Sequence, residues 1–257
     1  MELFYRHYGA GEPIIILHGV FGVSDNWVTF AREISDKYEV FIPDQRNHGQ
    51  SPHHPAHNYF AMCSDLHEFV EQHNIKNPII LGHSMGGKVA MRFALENPDI
   101  PKALIIADVS MRTYQRRHVH HNMIDAMLSV DFEKASTREE IAIQLSNWIK
   151  DQRILLFAMK NLYRRQRGQF AWRLNLEAIN LNMDEVFEGV KADQIFQKPA
   201  LFLRGGDSDY VSYEDFDQIY RSFPKADIET IENAGHWLHA DQPAEFSERV
   251  RKFLDRL

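Results

Sequence analysis

Short β-prone apolar runs alternate with segments of helical periodicity over the first 110 residues of the chain. The segments between the runs carry apolar residues at i, i+3 and i+4, which is the spacing of a helix packed on one face. This alternation is typical of a parallel sheet covered by helices. The predicted strands are Ile14–Leu17, Val40–Ile42, Ile79–Leu81 and Ala103–Ala107, and the predicted helices are Trp27–Lys37, Tyr59–His73 and Met85–Asn97.

The same alternation returns after residue 198. Ala200–Leu203 and Ile228–Ile231 are predicted strands, Tyr213–Ser222 is a predicted helix, and Pro243–Leu257 is a closing helix that begins at a proline. The sequence therefore predicts an α/β fold with a doubly wound, mostly parallel sheet. Its core is expected to comprise residues 1–110 and 198–257.

Residues 111–197 interrupt this pattern. Their apolar residues keep helical spacing, as in Ile141, Leu145 and Trp148, without a convincing β-run. We expect an inserted helical cap over the carboxyl edge of the sheet, where ligands bind in doubly wound folds. Because no low-complexity linker separates the cap, it should pack on the core and form one wall of the pocket.

Composition narrows the class of protein. With 44% hydrophobic residues in 257, the chain can build a sizeable core, and its net charge of −7 argues against a nucleic-acid partner. The cap carries 13 basic and 11 acidic residues, or +2, which leaves 16 and 25, or −9, for the rest. A single cysteine, Cys63, and a start without the apolar core of a signal peptide predict a cytoplasmic protein. No apolar stretch approaches the ~20 residues that span a bilayer, so no membrane association is expected.

A G-x-S-x-G motif, Gly82–Gly86, stands between the predicted strand Ile79–Leu81 and the helix that follows. In this context the motif forms a nucleophile elbow, in which two glycines permit a sharp turn with the serine hydroxyl exposed at its apex. The competing interpretation is an ordinary glycine-rich connection, which the strand–turn–helix context disfavours. The sequence therefore predicts Ser84 as a nucleophile.

A serine nucleophile needs a base and a site for the oxyanion. His236 follows the last predicted strand and so belongs at the same sheet edge as Ser84, which predicts a general base rather than a histidine that caps the final helix. His18–Gly22 follows the first buried strand. The amides of Val20 and Met85 are the predicted oxyanion donors.

Taken together and in this order, the motifs resemble the α/β-hydrolase fold superfamily. Asn47 stands where the family usually has glycine, and this variant resembles the small YbfF-type acyl esterases. The resemblance implies that Asp44–Gly49 mainly shapes the loop beside the oxyanion turn, with Arg46 in a structural ion pair, and that His83 is structural. The matching segments are His18-Gly19, Trp27, Asp44–Ser51, Gly82–Gly87 and Gly235–Trp237, with Tyr114–His118 and Gly205–Ser212 specific to the esterases.

Two positions compete for the acidic member of the triad. Family members usually carry it in a G-x-x-D-x-x-V pattern, but this chain has Ser208 in that register, flanked by Asp207 and Asp209. Asp108 directly follows the strand Ala103–Ala107, so it is expected at the same carboxyl edge of the sheet as Ser84. It could instead be an N-cap residue for the first helical turn of the inserted segment. This arrangement resembles that of some related esterases, which take the acid from this strand and have a serine at the usual place. The resemblance therefore favours Asp108, with Ser208 as a hydrogen-bonded fourth member, and Asp207 is the alternative.

Further residues are assigned by position. Phe21, Phe157 and Trp237 are predicted to bind substrate, while His239 is predicted at the surface or behind the triad. No metal is expected, because the clustered cap histidines are better explained by a solvated helix face. The basic cap residues are also predicted to be solvated, with an anionic acyl carrier such as coenzyme A as the alternative. The histidines in question are His118, His120 and His121, and the basic residues are Arg116, Arg117, Arg164, Arg165 and Arg167. Three apolar cap residues could line an acyl pocket or could only pack the core, namely Met159, Leu162 and Phe170.

The combined prediction is a serine esterase that needs no cofactor. It would hydrolyse carboxylic esters or thioesters of short to medium acyl chains, acyl-CoA among them, through an acyl-enzyme. One alternative is C–C, lactone or amide hydrolysis at the same site. Another is a ligand sensor that kept the fold without turnover.

Overall fold

The computed structural model describes residues 1–115, 118–165, 168–191 and 194–257. The strands in these ranges are β1 (Tyr5–Tyr8), β2 (Glu12–Leu17), β3 (Tyr38–Pro43), β4 (Ile79–His83), β5 (Ala103–Ala107), β6 (Leu162–Arg164), β7 (Phe170–Trp172), β8 (Ala200–Gly205) and β9 (Ala226–Ile231). The helices are α1 (Val28–Ile34), α2 (Tyr59–Gln72), α3 (Met85–Glu96), α4 (His118–Leu128), α5 (Arg138–Ser146), α6 (Gln152–Met159), α7 (Leu176–Leu181), α8 (Met183–Phe187), α9 (Phe216–Ser222), α10 (Leu238–Asp241) and α11 (Pro243–Leu254).

A seven-stranded sheet in the order β1-β3-β2-β4-β5-β8-β9 forms the centre of the described chain. Its strands pair in parallel, except that β1 is antiparallel to β3. The predicted doubly wound α/β fold is therefore confirmed. The sequence pattern did not predict β1, because this edge strand is only partly buried and carries no continuous apolar run.

The central strands are covered on both faces, which explains their uninterrupted apolar runs. On one face the hydrophobic cluster includes residues of α2 and α3, and it continues into the cap segment through Ile124, Met127 and Leu145. On the other face, residues of α1 and α11 pack on the sheet. The predicted packing of the cap on the core is present.

Several element boundaries differ from the prediction. The predicted helix Trp27–Lys37 is a 3₁₀ turn at Ser24–Trp27 followed by α1, and Tyr213–Ser222 likewise begins with a 3₁₀ turn at Tyr213–Asp215. The expectation of no β-structure in the cap was wrong, since β6 and β7 form an antiparallel hairpin. Strands of three residues are too short to produce a recognisable alternation.

The described residues between β5 and β8 also include helices α4 to α8. The division of the chain into residues 1–110 with 198–257 and a cap of 111–197 stays a prediction, and "cap" is used below for that segment. Among the described helices, none combines the length and apolar character needed to cross a bilayer.

Candidate active site

Ser84 occupies the turn between β4 and α3. Its backbone has φ 53° and ψ −120°, a conformation that non-glycine residues adopt only where the surroundings enforce it. The turn is so tight that a Cβ on Gly82 would lie 2.3 Å from the carbonyl oxygen of Gly86, and one on Gly86 would lie 2.4 Å from that of Leu17. The two glycines of the motif are therefore required sterically.

Three side chains from separate parts of the chain meet at this turn. His236 Nε2 lies 3.0 Å from Ser84 Oγ, and His236 Nδ1 lies 2.8 Å from Asp108 Oδ2. The carboxylate of Asp108 is fully buried, whereas the His236 side chain is 21% exposed. This is the geometry in which a carboxylate orients an imidazole and the imidazole can accept the serine proton.

Asp108 is held by its neighbours on both oxygens. The Gly205 amide donates to Oδ1 over 2.9 Å, and the Ser208 hydroxyl donates to Oδ2, the oxygen that also faces His236. Asp108 itself has φ 49°, so the chain leaves β5 through a left-handed residue. Asp207 is exposed and its amide donates to the Ala234 carbonyl, 2.9 Å away. The structure thus brings Asp108, and not Asp207, to His236.

Tyr210 is a contact that the sequence reasoning missed. Its ring stacks on the imidazole of His236 with 3.7 Å between centroids and 14° between planes. Its carbonyl accepts the Tyr114 hydroxyl over 2.6 Å, which ties the segment after Ser208 to the cap. The stacking restricts rotation of the imidazole, but no spacing in the sequence indicates it.

The oxyanion turn, His18–Gly22, approaches Ser84 from the neighbouring strand β2. Met85 is the first residue of α3, so its amide has no intrahelical acceptor, and Val20 lines a cavity together with Ser84. The turn is closed by the Gly22 amide, which donates to the Gly19 carbonyl over 3.0 Å. Val20 and Met85 therefore flank the nucleophile as predicted oxyanion donors would.

Within the oxyanion turn, Phe21 has a left-handed backbone conformation, with φ 62°. Its amide donates to His48 Nε2 over 3.1 Å, and its carbonyl accepts the side chain of Asn161 over 2.8 Å. Asn161 is fully buried and belongs to the cap, so the cap supports the turn directly. Sequence reasoning missed Asn161, since a lone asparagine outside any motif gives no signal.

Buried histidines surround this region in their neutral form. His18 Nε2 accepts the Gln45 amide over 3.0 Å, and His48 Nδ1 lies 2.9 Å from the Arg46 carbonyl. Burial lowers the pKa of His18 and His48, and it lowers the pKa of His83 well below its ordinary value. Neutral rings with one donor and one acceptor nitrogen can thus fix the backbone around the site.

The Asp44–Gly49 segment packs against the oxyanion turn through the contacts of Gln45 with His18 and of His48 with Phe21. Arg46 forms a buried two-point ion pair with Asp65, with contacts of 2.6 and 2.7 Å, as the resemblance implied. Asn47 has φ 67°, which asparagine tolerates better than most residues, and this explains how it replaces the usual glycine. Its side-chain oxygen also accepts the side chain of Asn175 in the cap over 3.1 Å.

A cavity, called the larger cavity below, opens beside Ser84 and His236. The three residues predicted to bind substrate, Phe21, Phe157 and Trp237, all line it, and the rings of Phe157 and Trp237 are 5.3 Å apart. The predicted alternative liners Met159, Leu162 and Phe170 are buried and line no cavity beside Ser84.

Two further histidines, His120 and His239, line the larger cavity, and only the first departs from its predicted position. His120, expected on a solvated helix face, is half-buried and lines the cavity, with its ring 5.0 Å from that of Phe187. His239 is stacked on Trp27 with centroids 4.2 Å apart, and burial lowers its pKa to about 3. Of the two positions offered for His239, the one behind the triad is correct, and the surface position is wrong.

The basic residues predicted in the cap do not reach the site where they are described. Arg164 is exposed and stacks on Phe170 at 4.4 Å, and neither it nor Arg165 lines a cavity beside Ser84. Arg116, Arg117 and Arg167 lie outside the described residues, and the side chain of His118 is likewise not described. Within the described part of the chain, no group of three or more potential ligands could hold a metal ion.

Comparison with known proteins agrees with this geometry. A family model for the alpha/beta hydrolase fold matches residues 12–150. The chain is 36% identical over 252 residues to the sn-1-specific diacylglycerol lipase ABHD11 of Danio rerio, covering 96% of this chain and 79% of the relative. It is 31% identical over 244 residues to esterase YbfF of Escherichia coli K12, covering 95% and 93%.

Among solved structures, a marine microorganism esterase superposes with a TM-score of 0.95 at 42% identity, covering 98% of this chain and 99% of the other. The chain belongs to the α/β-hydrolase family, as the resemblance predicted. The prediction of an ester-hydrolysing serine hydrolase agrees with the names of all three similar proteins.

Proposed function

We propose that this protein is a serine esterase that hydrolyses carboxylic esters or thioesters of short to medium acyl chains through an acyl-enzyme. The single observation that carries the proposal is the continuous contact from Ser84 Oγ through His236 to Asp108, with distances of 3.0 and 2.8 Å. The relatives named as a lipase and as esterases support the choice of an ester bond.

In the proposed acylation, His236 Nε2 removes the hydroxyl proton of Ser84 as Oγ bonds to the acyl carbon. The amides of Val20 and Met85 hold the oxygen that becomes negatively charged, a role typically worth roughly 3–4 kcal/mol per donor. The C–O or C–S bond then breaks, and the imidazolium returns its proton to the leaving group. Asp108 holds the Nδ1–H tautomer and stabilises the imidazolium.

Deacylation repeats these steps with water. His236 removes a proton from water as the water oxygen attacks the acyl carbon, and Ser84 recovers its proton when the acid departs. The partial exposure of the His236 side chain supports this role, because water must reach Nε2. No step requires a metal or an organic cofactor.

Hydrolysis of p-nitrophenyl acetate, butyrate and octanoate and of a diacylglycerol, for wild type beside Ser84→Ala, tests the proposal. We expect turnover that falls about 10⁴-fold or more in Ser84→Ala. Intact-mass measurement after rapid quenching should detect an acyl group on wild type only. Acylation without deacylation would favour the sensor, and no ester turnover above Ser84→Ala would favour the amide, lactone or C–C reactions.

A further inference from the structure

A second, smaller cavity adjoins Ser84 on the side facing α2 and α8. Ser84, Val20 and His120 line both cavities. His236, Phe157 and Trp237 line only the larger one, whereas Met85, Tyr59 and Phe187 line only the smaller one. The nucleophile therefore stands at a junction between two spaces with different walls.

The chemistry of ester cleavage distinguishes the two spaces. The leaving oxygen must receive its proton from His236 Nε2, and His236 lines only the larger cavity. The carbonyl oxygen must face the amides of Val20 and Met85, and Met85 lines only the smaller cavity. Around the tetrahedral carbon, Ser84 Oγ, the oxyanion and the leaving group take three of the four directions. The leaving group occupies the side of His236, so the space left for the acyl substituent is on the side away from His236, where the smaller cavity lies.

We infer that the smaller cavity is the acyl-binding site and that the larger cavity takes the alcohol or thiol portion of the substrate. This inference rests on the proposed function. In the acylation step the acyl carbon stays in place on Ser84 Oγ while the protonated leaving group departs through the larger cavity. The larger cavity then admits the water that releases the acid.

The walls of the smaller cavity indicate an uncharged acyl group. The Tyr59 hydroxyl donates to the Val186 carbonyl over 2.6 Å, and the Tyr114 hydroxyl donates to the Tyr210 carbonyl over 2.6 Å. The Lys88 nitrogen faces the carbonyls of Arg112, Phe187 and Glu188, and these three acceptors can take every hydrogen that either the amine or the ammonium form offers. Lys88 thus has no donor left for a carboxylate at the end of an acyl chain.

The length of the acyl group is limited by the cap. Val186 and Phe187 are buried at the end of α8 and form the wall opposite the core residues of the smaller cavity. The smaller cavity has under half the volume of the larger one, so the structure favours a short acyl chain joined to a larger alcohol. Phe187 is the specificity-determining residue that this arrangement singles out.

Two substrate series separate the two cavities. One series varies the acyl chain of p-nitrophenyl esters from acetate to octanoate, and the other varies the alcohol of acetate esters from ethyl to octyl. Phe187→Ala should raise kcat/KM for octanoate relative to acetate by at least about tenfold, with the alcohol series changed less than about twofold. The matched variant Phe157→Ala, on the larger cavity, should alter the alcohol series and spare the acyl series.

Other outcomes overturn the inference. An acyl-series effect from Phe157→Ala with an alcohol-series effect from Phe187→Ala would reverse the two sites, and parallel effects on both series would show that they are not separate. Should Phe187→Ala fail to fold by circular dichroism, Val186→Ala and Phe187→Leu make the same comparison. If wild type cleaves no ester in either series, the proposed function fails; failure of the inference alone leaves wild-type turnover intact.

A charged acyl group provides an independent check. The p-nitrophenyl hemiester of glutaric acid should react at least about tenfold more slowly than p-nitrophenyl valerate, because its carboxylate would be buried without a free donor. Equal rates would contradict an acyl site closed by Lys88, Tyr59 and Tyr114.

Discussion

Ser208 donates its hydroxyl hydrogen to Asp108 across two adjacent strands of the sheet, β5 and β8. Asp108 stands directly after β5, and Ser208 stands at the position after β8 where related enzymes usually carry the acid. The hydrogen bond therefore joins the residue that faces His236 to the residue that replaces the usual aspartate. The carboxylate that faces the imidazole in this chain therefore follows β5 and not β8.

Exchange of the carboxylate for an amide tests which aspartate serves as the acid. We expect Asp108→Asn to lower kcat about 10⁴-fold, because the amide no longer favours the Nδ1–H tautomer of His236 or stabilises the imidazolium. Asp207→Asn is the matched control and should retain kcat within about twofold, since Asp207 is exposed. Steady-state kinetics with p-nitrophenyl butyrate measure both, and a large loss in Asp207→Asn alone would exchange the two assignments.

Removal of the Ser208 hydroxyl should have a smaller effect. Ser208→Ala deletes one hydrogen bond to a buried carboxylate, a contact worth about 1.5–3 kcal/mol, so kcat should fall between about tenfold and a hundredfold. Ser208→Thr keeps the hydroxyl and should recover much of the loss in the same kinetic assay. A variant Ser208→Ala with wild-type kcat would mean that the Gly205 amide alone is sufficient to hold Asp108.

The sequence predicted those parts of the site that depend on local motifs. Gly82–Gly86 identified Ser84 because a strand, a tight turn and a helix are all encoded within a few residues. For the acid, the order of elements offered two strand ends, and the resemblance to some related esterases favoured Asp108. By contrast, the Tyr210 stacking on His236 and the Asn161 contact to Phe21 join residues far apart in the chain, and they depend on loop conformations that periodicity does not describe.

For the fold as well, features with a strong local pattern were predicted and features without one were missed. Fully buried strands such as β4 and β5 were visible as apolar runs, while the partly exposed edge strand β1 and the short hairpin of β6 and β7 were not. His120 illustrates the limit of helical periodicity in the cap. A polar residue on a helix suggests solvent, but in this chain the helix borders a cavity beside the nucleophile.

Support of the oxyanion turn by the cap leads to another prediction. Asn161→Ala leaves the Phe21 carbonyl without its 2.8 Å donor, so the turn should lose its alignment with Ser84 and kcat should fall between about tenfold and a hundredfold. Asn182→Ala removes a contact between cap and core away from the turn, the 2.9 Å bond to the Pro55 carbonyl, and serves as the control. Equal losses of kcat in both variants would indicate general loosening of the cap, not misalignment of the turn.

The buried neutral histidines predict sensitivity to acid. Burial lowers the pKa of His57 to about 3, and the Arg46 charge acts in the same direction. Because the unfolded chain takes up the proton near pH 6.5 and the native state does not, stability is complete above that pH and declines below it. Between pH 7 and 5, wild type should lose about 2 kcal/mol more unfolding free energy than His57→Gln in urea titrations. Identical losses would show that His57 becomes protonated in the folded protein.

Lys88 lies one helical turn after Ser84 on α3, and its side chain is almost fully buried beneath the nucleophile. Its ammonium nitrogen lies 4.6 Å from the ring centroid of Tyr114 and 5.9 Å from that of Tyr59, and it donates to carbonyls that include that of Phe187 in the cap. Burial, together with repulsion by Arg112, lowers the pKa of Lys88 to about 7, against an opposing effect of Glu188.

This depressed pKa predicts a pH dependence of stability with a definite sign. Below pH 7 the folded and unfolded states both hold the proton, so pH has no effect through Lys88. Between pH 7 and the ordinary value of 10.5, the unfolded chain keeps a proton that the native state has released. The unfolding free energy of wild type relative to Lys88→Met should therefore rise by about 1.4 kcal/mol per pH unit from pH 7 to 9. Urea titrations of both proteins measure this difference, and a constant difference would mean that the three carbonyls keep the ammonium charged in the folded protein.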